Sequence, residues 1–116
     1  MNELLTKKCA PCEGGVAALD ATAAHRYLQQ LSADWKLDAD GKAIRHEYAF
    51  KNFYRTMSFV NAVAHIANTE DHHPDLHLSG YRNVVVEMST HAIGGLSEND
   101  FILAAKIDQV PVETKK

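Results

Sequence analysis

Asp71-His72-His73-Pro74-Asp75 is the stretch on which the reading of this chain turns. Proline has no amide hydrogen and disfavours helical geometry in the residue before it, so a helix arriving from upstream must stop before His73 and the chain must leave extended. Upstream, from Asn52 to about Asn68, apolar residues recur at helical spacing. Phe53, Met57, Val60, Ala64 and Ala67 form one stripe, and Phe59, Val63 and Ile66 form a second beside it. Together they cover about half the circumference, wider than the roughly 100° that a helix needs to cover a sheet, so this helix is expected to meet another helix or a second subunit as well. Downstream, Asp75 to Leu78 and Asn83 to Met88 read as strands, the latter alternating Val84, Val86 and Met88 against Val85 and Glu87.

A helix and two strands come before this unit. Asp20 is an N-cap for a helix over residues 21–31, where Ala24, Tyr27, Leu28 and Leu31 recur at helical spacing. Trp35-Lys36-Leu37 and Ala43 to Phe50 read as strands joined through Asp40-Gly41, a hairpin-turn pair. Ile44, His46, Tyr48 and Phe50 share one face of the second strand, and Arg45 and Glu47 share the other, so one side of the sheet should be wet. After the last strand Gly94-Gly95 make a turn. Ser97-Glu98-Asn99-Asp100 is then a capping-box pattern opening a helix through Phe101, Ile102, Leu103, Ala104, Ala105 and Ile107 to about Val110, where Pro111 ends it. The order α-β-β-α-β-β-α predicts an α+β domain: a four-stranded antiparallel sheet with three helices packed on one face.

Composition narrows the function classes. With 116 residues, 46% of them hydrophobic, the chain holds one modest core. The expected division is a flexible arm over residues 1–18, a domain over 19–110 and a tail over 111–116. A net charge of −3 with twelve scattered Lys and Arg offers no basic field, which disfavours direct nucleic-acid binding. No apolar run approaches the roughly 20 residues of a membrane span, and the first residues lack the apolar core of a signal peptide, so no membrane association and a cytoplasmic location are expected. Cys9 and Cys12 form a Cys-Ala-Pro-Cys pair in a polar leader. They lack the strand-to-helix context of a redox motif and the second pair of a zinc site, and read as reduced thiols.

Chemistry concentrates at His72, His73 and His91, the last following Ser89-Thr90 at the end of a strand. Histidine titrates nearest to neutral pH of any side chain, so three imidazoles can hold an acid and a base together. A helical zinc pair of His73 with His77 is forbidden by Pro74, and no Cys or Glu stands at metal-ligand spacing, so no metal is expected. His25, His46, His65 and His77 read as ordinary surface or core residues. Asp100 is explained by the capping box, and Asp71 either orients an imidazole, binds substrate or is solvated at a helix end.

In order and approximate spacing, His72-His73-Pro74, Tyr81, Thr90-His91, Gly95-Leu96-Ser97 and Asp100 resemble the signature of the pterin-4a-carbinolamine dehydratases. The likeness runs from about Leu19 to Val110 and includes Trp35, Phe50-Lys51-Asn52-Phe53 and Ala104-Ala105-Lys106-Ile107. It implies dehydration of 4a-hydroxytetrahydrobiopterin to quinonoid dihydrobiopterin, the recycling step after an aromatic amino acid hydroxylase. It also implies the same sheet and three helices. His72, His73 and His91 would be the catalytic imidazoles, and Asp71, His72, His73, Ser89, Thr90, His91 and Ala92 would line the pterin pocket. Acid and base work falls to His72 and His91, with His73 contacting the hydroxyl or stabilising the transition state. No cofactor is required, because the pterin carries the conjugation that drives loss of water. Asn68 departs from the pattern, standing where members often carry a charged residue; Leu76 stands where some have an aromatic. Other relatives stabilise dimers of a homeodomain transcription factor or assist assembly of a carbon-fixing enzyme, so a non-catalytic dimerisation or assembly factor is the alternative. A homodimer or homotetramer is expected.

Overall fold

The computed structural model describes residues 3–6, 18–90 and 93–110. The Cys9-Cys12 pair and the expected tail over 111–116 lie outside them. The elements run α1 (Ala21–Leu28), β1 (Lys36–Leu37), β2 (Ile44–Ala49), α2 (Phe53–Glu70), β3 (Asp75–Ser79), β4 (Asn83–Met88) and α3 (Glu98–Asp108), the order expected from the sequence. All strand pairs are antiparallel, in the spatial order β1-β2-β4-β3. The two long strands β2 and β4 thus form the centre, and the short β1 and β3 form the edges.

Sequence chemistry explains most boundaries. The Asp20 carboxylate accepts from the Ala23 amide at 2.8 Å and opens α1, and Asn52 Oδ1 accepts from the Arg55 amide at 2.9 Å and opens α2. α1 is shorter than its apolar spacing suggests. After Leu28 the bonds Gln30 N–H to Tyr27 and Leu31 N–H to Leu28 tighten the chain into three-residue turns, which still deliver Leu31 to the core. The β1–β2 connection is wider than a two-residue hairpin. Asp38 Oδ1 accepts from the amides of Lys42 and Ala43 at 2.9 and 3.3 Å, and Gly41 takes the left-handed conformation (φ 70°) that closes the loop.

The alternation read in β2 is the one observed: Ile44, His46, Tyr48 and Phe50 are buried, whereas Arg45 and Glu47 pair with each other at 3.3 Å on the outer face. Val84, Val86 and Met88 extend the inner face on β4. α2 lays Thr56, Phe59, Val63 and Ala67 on the core. Thr56 is the polar member of that stripe, buried without cost because its hydroxyl donates to the Asn52 carbonyl at 2.9 Å. The other expected stripe divides: Ala67 is buried and Val60 packs against the edge of the core, whereas Phe53 and Ala64 are exposed and Met57 is half-buried. α3 is buried almost all round, from Asn99 to Ala105 and at Ile107. Leu4, in a short turn of 3₁₀ helix over Glu3–Thr6, is fully buried and anchors part of the expected arm in this core. At the far end of α3, Asp108 accepts from the Trp35 indole at 2.8 Å and the Ser32 amide at 2.9 Å, tying the entry to β1.

An aromatic stack runs along the inner face of β2. His46 lies parallel to Tyr48 with ring centroids 3.8 Å apart, Trp35 meets His46 edge-on, and Phe59 of α2 closes over Tyr48 and Phe50. Burial holds the His46 imidazole below its usual titration range, against the opposing pull of the Glu47 carbonyl, Asp34 and Asp108. The same burial pushes the Tyr48 phenol up. A histidine with a depressed folded-state pKa costs nothing where both states are neutral. As pH falls below the ordinary histidine value the unfolded chain takes the proton first, so stability falls. Between pH 7.5 and 5.5 the melting temperature should therefore drop in the wild type and drop less in His46→Phe, which keeps the stack without the titration; equal slopes in calorimetry would contradict this.

Candidate active site

The site forms where three chain segments meet: the exit of α2, the end of β4 and the start of α3. α2 ends because Asp71 adopts the left-handed conformation (φ 54°), and the amides of Asp71 and His72 both turn back to the Ala67 carbonyl. Aspartate tolerates that conformation better than most side chains. Pro74 then straightens the chain into β3. Because Asp75 pairs with Glu87, the residues just before β3 run beside those just after β4, and His72 and His73 come alongside Ser89 and Thr90. The Thr90 amide donates to the Gly95 carbonyl at 2.7 Å and Ile93 N–H returns to Thr90 at 3.2 Å, closing the base of the connection to α3. That base is held from behind as well. The Leu19 amide donates to the Leu96 carbonyl at 2.9 Å, and a Cβ on Gly95 would come within 2.9 Å of that of Ala18, so only glycine fits there.

Asp100 joins the three segments. Its carboxylate is 0% exposed and takes three donors: His72 Nε2 at 2.7 Å on one oxygen, and Thr90 Oγ1 at 2.8 Å and the Ser97 amide at 3.0 Å on the other. Since the Thr90 proton is committed to Asp100, Ser97 Oγ donates to Thr90 Oγ1 at 2.8 Å. The bond from the Ser97 amide is the capping-box arm expected from the sequence, and the N-terminal end of α3 favours negative charge there. Capping is only half of its role, because the same carboxylate fixes the His72 ring. That ring, with 13% of its side chain exposed, is held through Nε2, which leaves Nδ1 as the lone-pair nitrogen of the neutral imidazole. A buried carboxylate holding a near-surface imidazole in one tautomer is an arrangement suited to moving a proton.

The other expected site residues fall out as follows. His73 is exposed, and its Nε2 lies 3.3 Å from Asn68 Oδ1, one turn back on α2. Asp71 is exposed at the helix end, Ser89 is half-buried, and Thr90 is a buried node of the Asp100 network. His91 and Ala92 lie outside the described residues. His25, His65 and His77 are exposed on the surface, away from this network. Among the described residues no three His, Cys, Asp or Glu side chains converge closely enough to hold a metal ion. Sequence reasoning missed the bond between Asp100 and His72. The signal available was the acid itself: a capping box explains its presence at the helix start, but not why it stands at a set distance behind the histidines.

Residues 17–110 match the family model described as pterin 4 alpha carbinolamine dehydratase. The chain belongs to this family. A protein of Nitrosomonas europaea, named as a proposed pterin-4-alpha-carbinolamine dehydratase, is 54% identical over 108 residues, 93% of each chain. One of Legionella pneumophila (strain Paris), with the same name, is 48% identical over 112 residues, 97% of this chain and 98% of that protein. Among solved structures, a transcriptional coactivator/pterin dehydratase from Brucella melitensis matches with a TM-score of 0.72 and 29% identity, over 78% of this chain and 94% of that one. A pterin dehydratase-like RuBisCO assembly factor of the α-carboxysome, at 20% identity and a TM-score of 0.57, shares the fold. The pterin dehydratases are hydro-lyases, and the sheet with three helices found here is the architecture that the resemblance implied.

Asp100→Ala should strand the Thr90 hydroxyl and the Ser97 amide in the interior and release the His72 ring. Each buried polar group left unpaired costs about 1–3 kcal/mol, so for the two groups a loss of about 2–6 kcal/mol is expected in urea denaturation; a variant within 0.5 kcal/mol of wild type would mean that the network is not structural.

Proposed function

We propose that this protein is a 4a-hydroxytetrahydrobiopterin dehydratase, removing water from the pterin 4a-carbinolamine to give quinonoid dihydrobiopterin, in the recycling of tetrahydrobiopterin for an aromatic amino acid hydroxylase. The observation that carries the proposal is the His72–Asp100 pair, a near-surface imidazole held by a fully buried carboxylate at the seam between α2, β4 and α3. Family membership supplies the substrate class.

The reaction needs two proton transfers. An acid protonates the 4a-hydroxyl so that it departs as water, and a base takes the proton from N5, whose electron pair forms the new C=N bond. His72 and His91 carry these transfers, and His73 contacts the hydroxyl. Asp71, Ser89, Thr90 and Ala92 complete the pocket; Thr90 contributes by holding Asp100 as well. The pterin provides the conjugation, so the chain has only to position groups and move protons.

The wide apolar surface of α2 supports a homo-oligomer. Phe53 is 51% and Tyr54 82% exposed, and Met57 and Ala64 continue that face. A cytoplasmic location is part of the same proposal; no helix of the described residues is long and apolar enough to cross a membrane. A dimerisation or assembly factor without catalysis is the alternative, and it has no use for three proton-transfer groups at one site.

With chemically generated 4a-hydroxytetrahydropterin, the wild type should accelerate formation of the quinonoid product well above the buffer rate, and His72→Ala and His91→Ala should each lose about 10²- to 10⁴-fold of that turnover. A wild-type rate equal to buffer, followed by ultraviolet absorbance, would favour the assembly factor. Light scattering at micromolar concentration should give a mass above one chain, and Tyr54→Glu should lower it; a monomeric wild type would remove the oligomer.

A further inference from the structure

His72 and His73 are neighbours in sequence, yet opposite helices hold them. His72 Nε2 is bonded to the Asp100 carboxylate of α3, and His73 Nε2 to the Asn68 side-chain amide of α2. The left-handed turn at Asp71 makes the second bond available. It folds the chain back on the last turn of α2, so that a residue five positions on reaches Asn68. An amide oxygen can only accept, so Nε2 of His73 carries the hydrogen of this bond, and in the neutral ring Nδ1 then carries the lone pair.

We propose that Asn68 is a positioning residue that fixes His73 as the Nε2–H tautomer, so that its Nδ1 meets the 4a-hydroxyl of the pterin as a hydrogen-bond acceptor. This rests on the dehydratase reading given above. The hydroxyl hydrogen donates to Nδ1 of His73, which turns an oxygen lone pair toward the acid; that acid supplies the proton with which the oxygen leaves as water, while the N5 proton goes to the base. His73 neither gains nor loses a proton in the step.

The choice of an amide matters because the position is next to a ring that must stay neutral to accept. A carboxylate at residue 68 would also hold Nε2–H, but its charge would favour the imidazolium, whose Nδ1 has no lone pair to offer. Among the described residues the other charged and titratable groups on the segments beside His73 are Glu70 at the end of α2, Asp71, His72 and Asp75 on its own segment, Glu87 paired with Asp75 on β4, and Asp100 behind His72; His91 is the further imidazole that the dehydratase reading assigns to this site. None of these changes when residue 68 is replaced, so a change in pH response belongs to that position.

Two variants separate tautomer from charge, and the exposure of Asn68 lets both fold, as circular dichroism would verify. In wild type, ¹⁵N spectra of the His73 ring should show a pyrrole-like Nε2 and a pyridine-like Nδ1. Asn68→Ala should average the two nitrogens and lower kcat by about 3- to 10-fold. Asn68→Asp should restore the wild-type tautomer while moving the acidic limb of the pH–rate profile upward by roughly half a pH unit or more, the size expected of a partly solvated opposite charge. A wild-type ring protonated at Nδ1 overturns the proposal, as does an acidic limb that stays in place in Asn68→Asp. If wild type shows no turnover of 4a-hydroxytetrahydropterin, the dehydratase reading fails by itself; the ring spectra of wild type and Asn68→Ala then still decide whether Asn68 sets the tautomer.

Discussion

A single buried carboxylate holds the working end of this molecule together. Asp100 has no exposure to water, and its two oxygens take hydrogen bonds from the exit of α2, from Thr90 two residues past β4 and from the start of α3. Burying a carboxylate is costly unless its lone pairs are satisfied. Here the three donors and the N-terminal end of α3 offset that cost. The price of this economy is that local stability and the orientation of His72 cannot be separated: whatever loosens the cap also frees the imidazole.

The rest of the fold is arranged to bring those three segments to one place. Pairing of β3 with β4 sets the residues before one strand against those after the other, and the bridge between Thr90 and Gly95 closes the connection into α3. At the opposite end of α3, Asp108 grips Trp35 and the Ser32 amide. α3 is therefore fixed at both ends by side-chain carboxylates, and almost all of its length is core. The junction is hydrogen-bonded and buried at Asp100, whereas α2 leaves Phe53, Tyr54 and Ala64 exposed.

Where local chemistry decides an element, the sequence was enough. Pro74 announced the end of α2, Asp20 and Asn52 the starts of two helices, Ser97 with Asp100 the start of the third, and the alternation from Ile44 to Phe50 the inner face of β2. What stayed hidden was decided by neighbours distant in the chain. Two apolar stripes on α2 were visible, but which of them meets the sheet depends on the helix's rotation, and the answer enlists Thr56, whose hydroxyl finds a carbonyl one turn back. The bond between His72 and Asp100 spans 28 residues, and periodicity carries no trace of such a contact. The histidine pair itself was legible as a fixed corner between helix and strand because of Pro74; the division of its partners into a carboxylate and an amide was not.

The left-handed residue at Asp71 has a consequence for how this junction can vary. One residue in that conformation reverses the chain, and Pro74 resets it as a strand, so only His72 and His73 lie between a fixed departure and a fixed arrival. Adding or deleting a residue here would swing each ring by about 100° if it lengthened the helix, or invert which ring faces inward if it lengthened the strand. Substitution is thus the only route by which this corner can drift. Changes of length have to be absorbed elsewhere, as in the wider loop between Asp38 and Ala43.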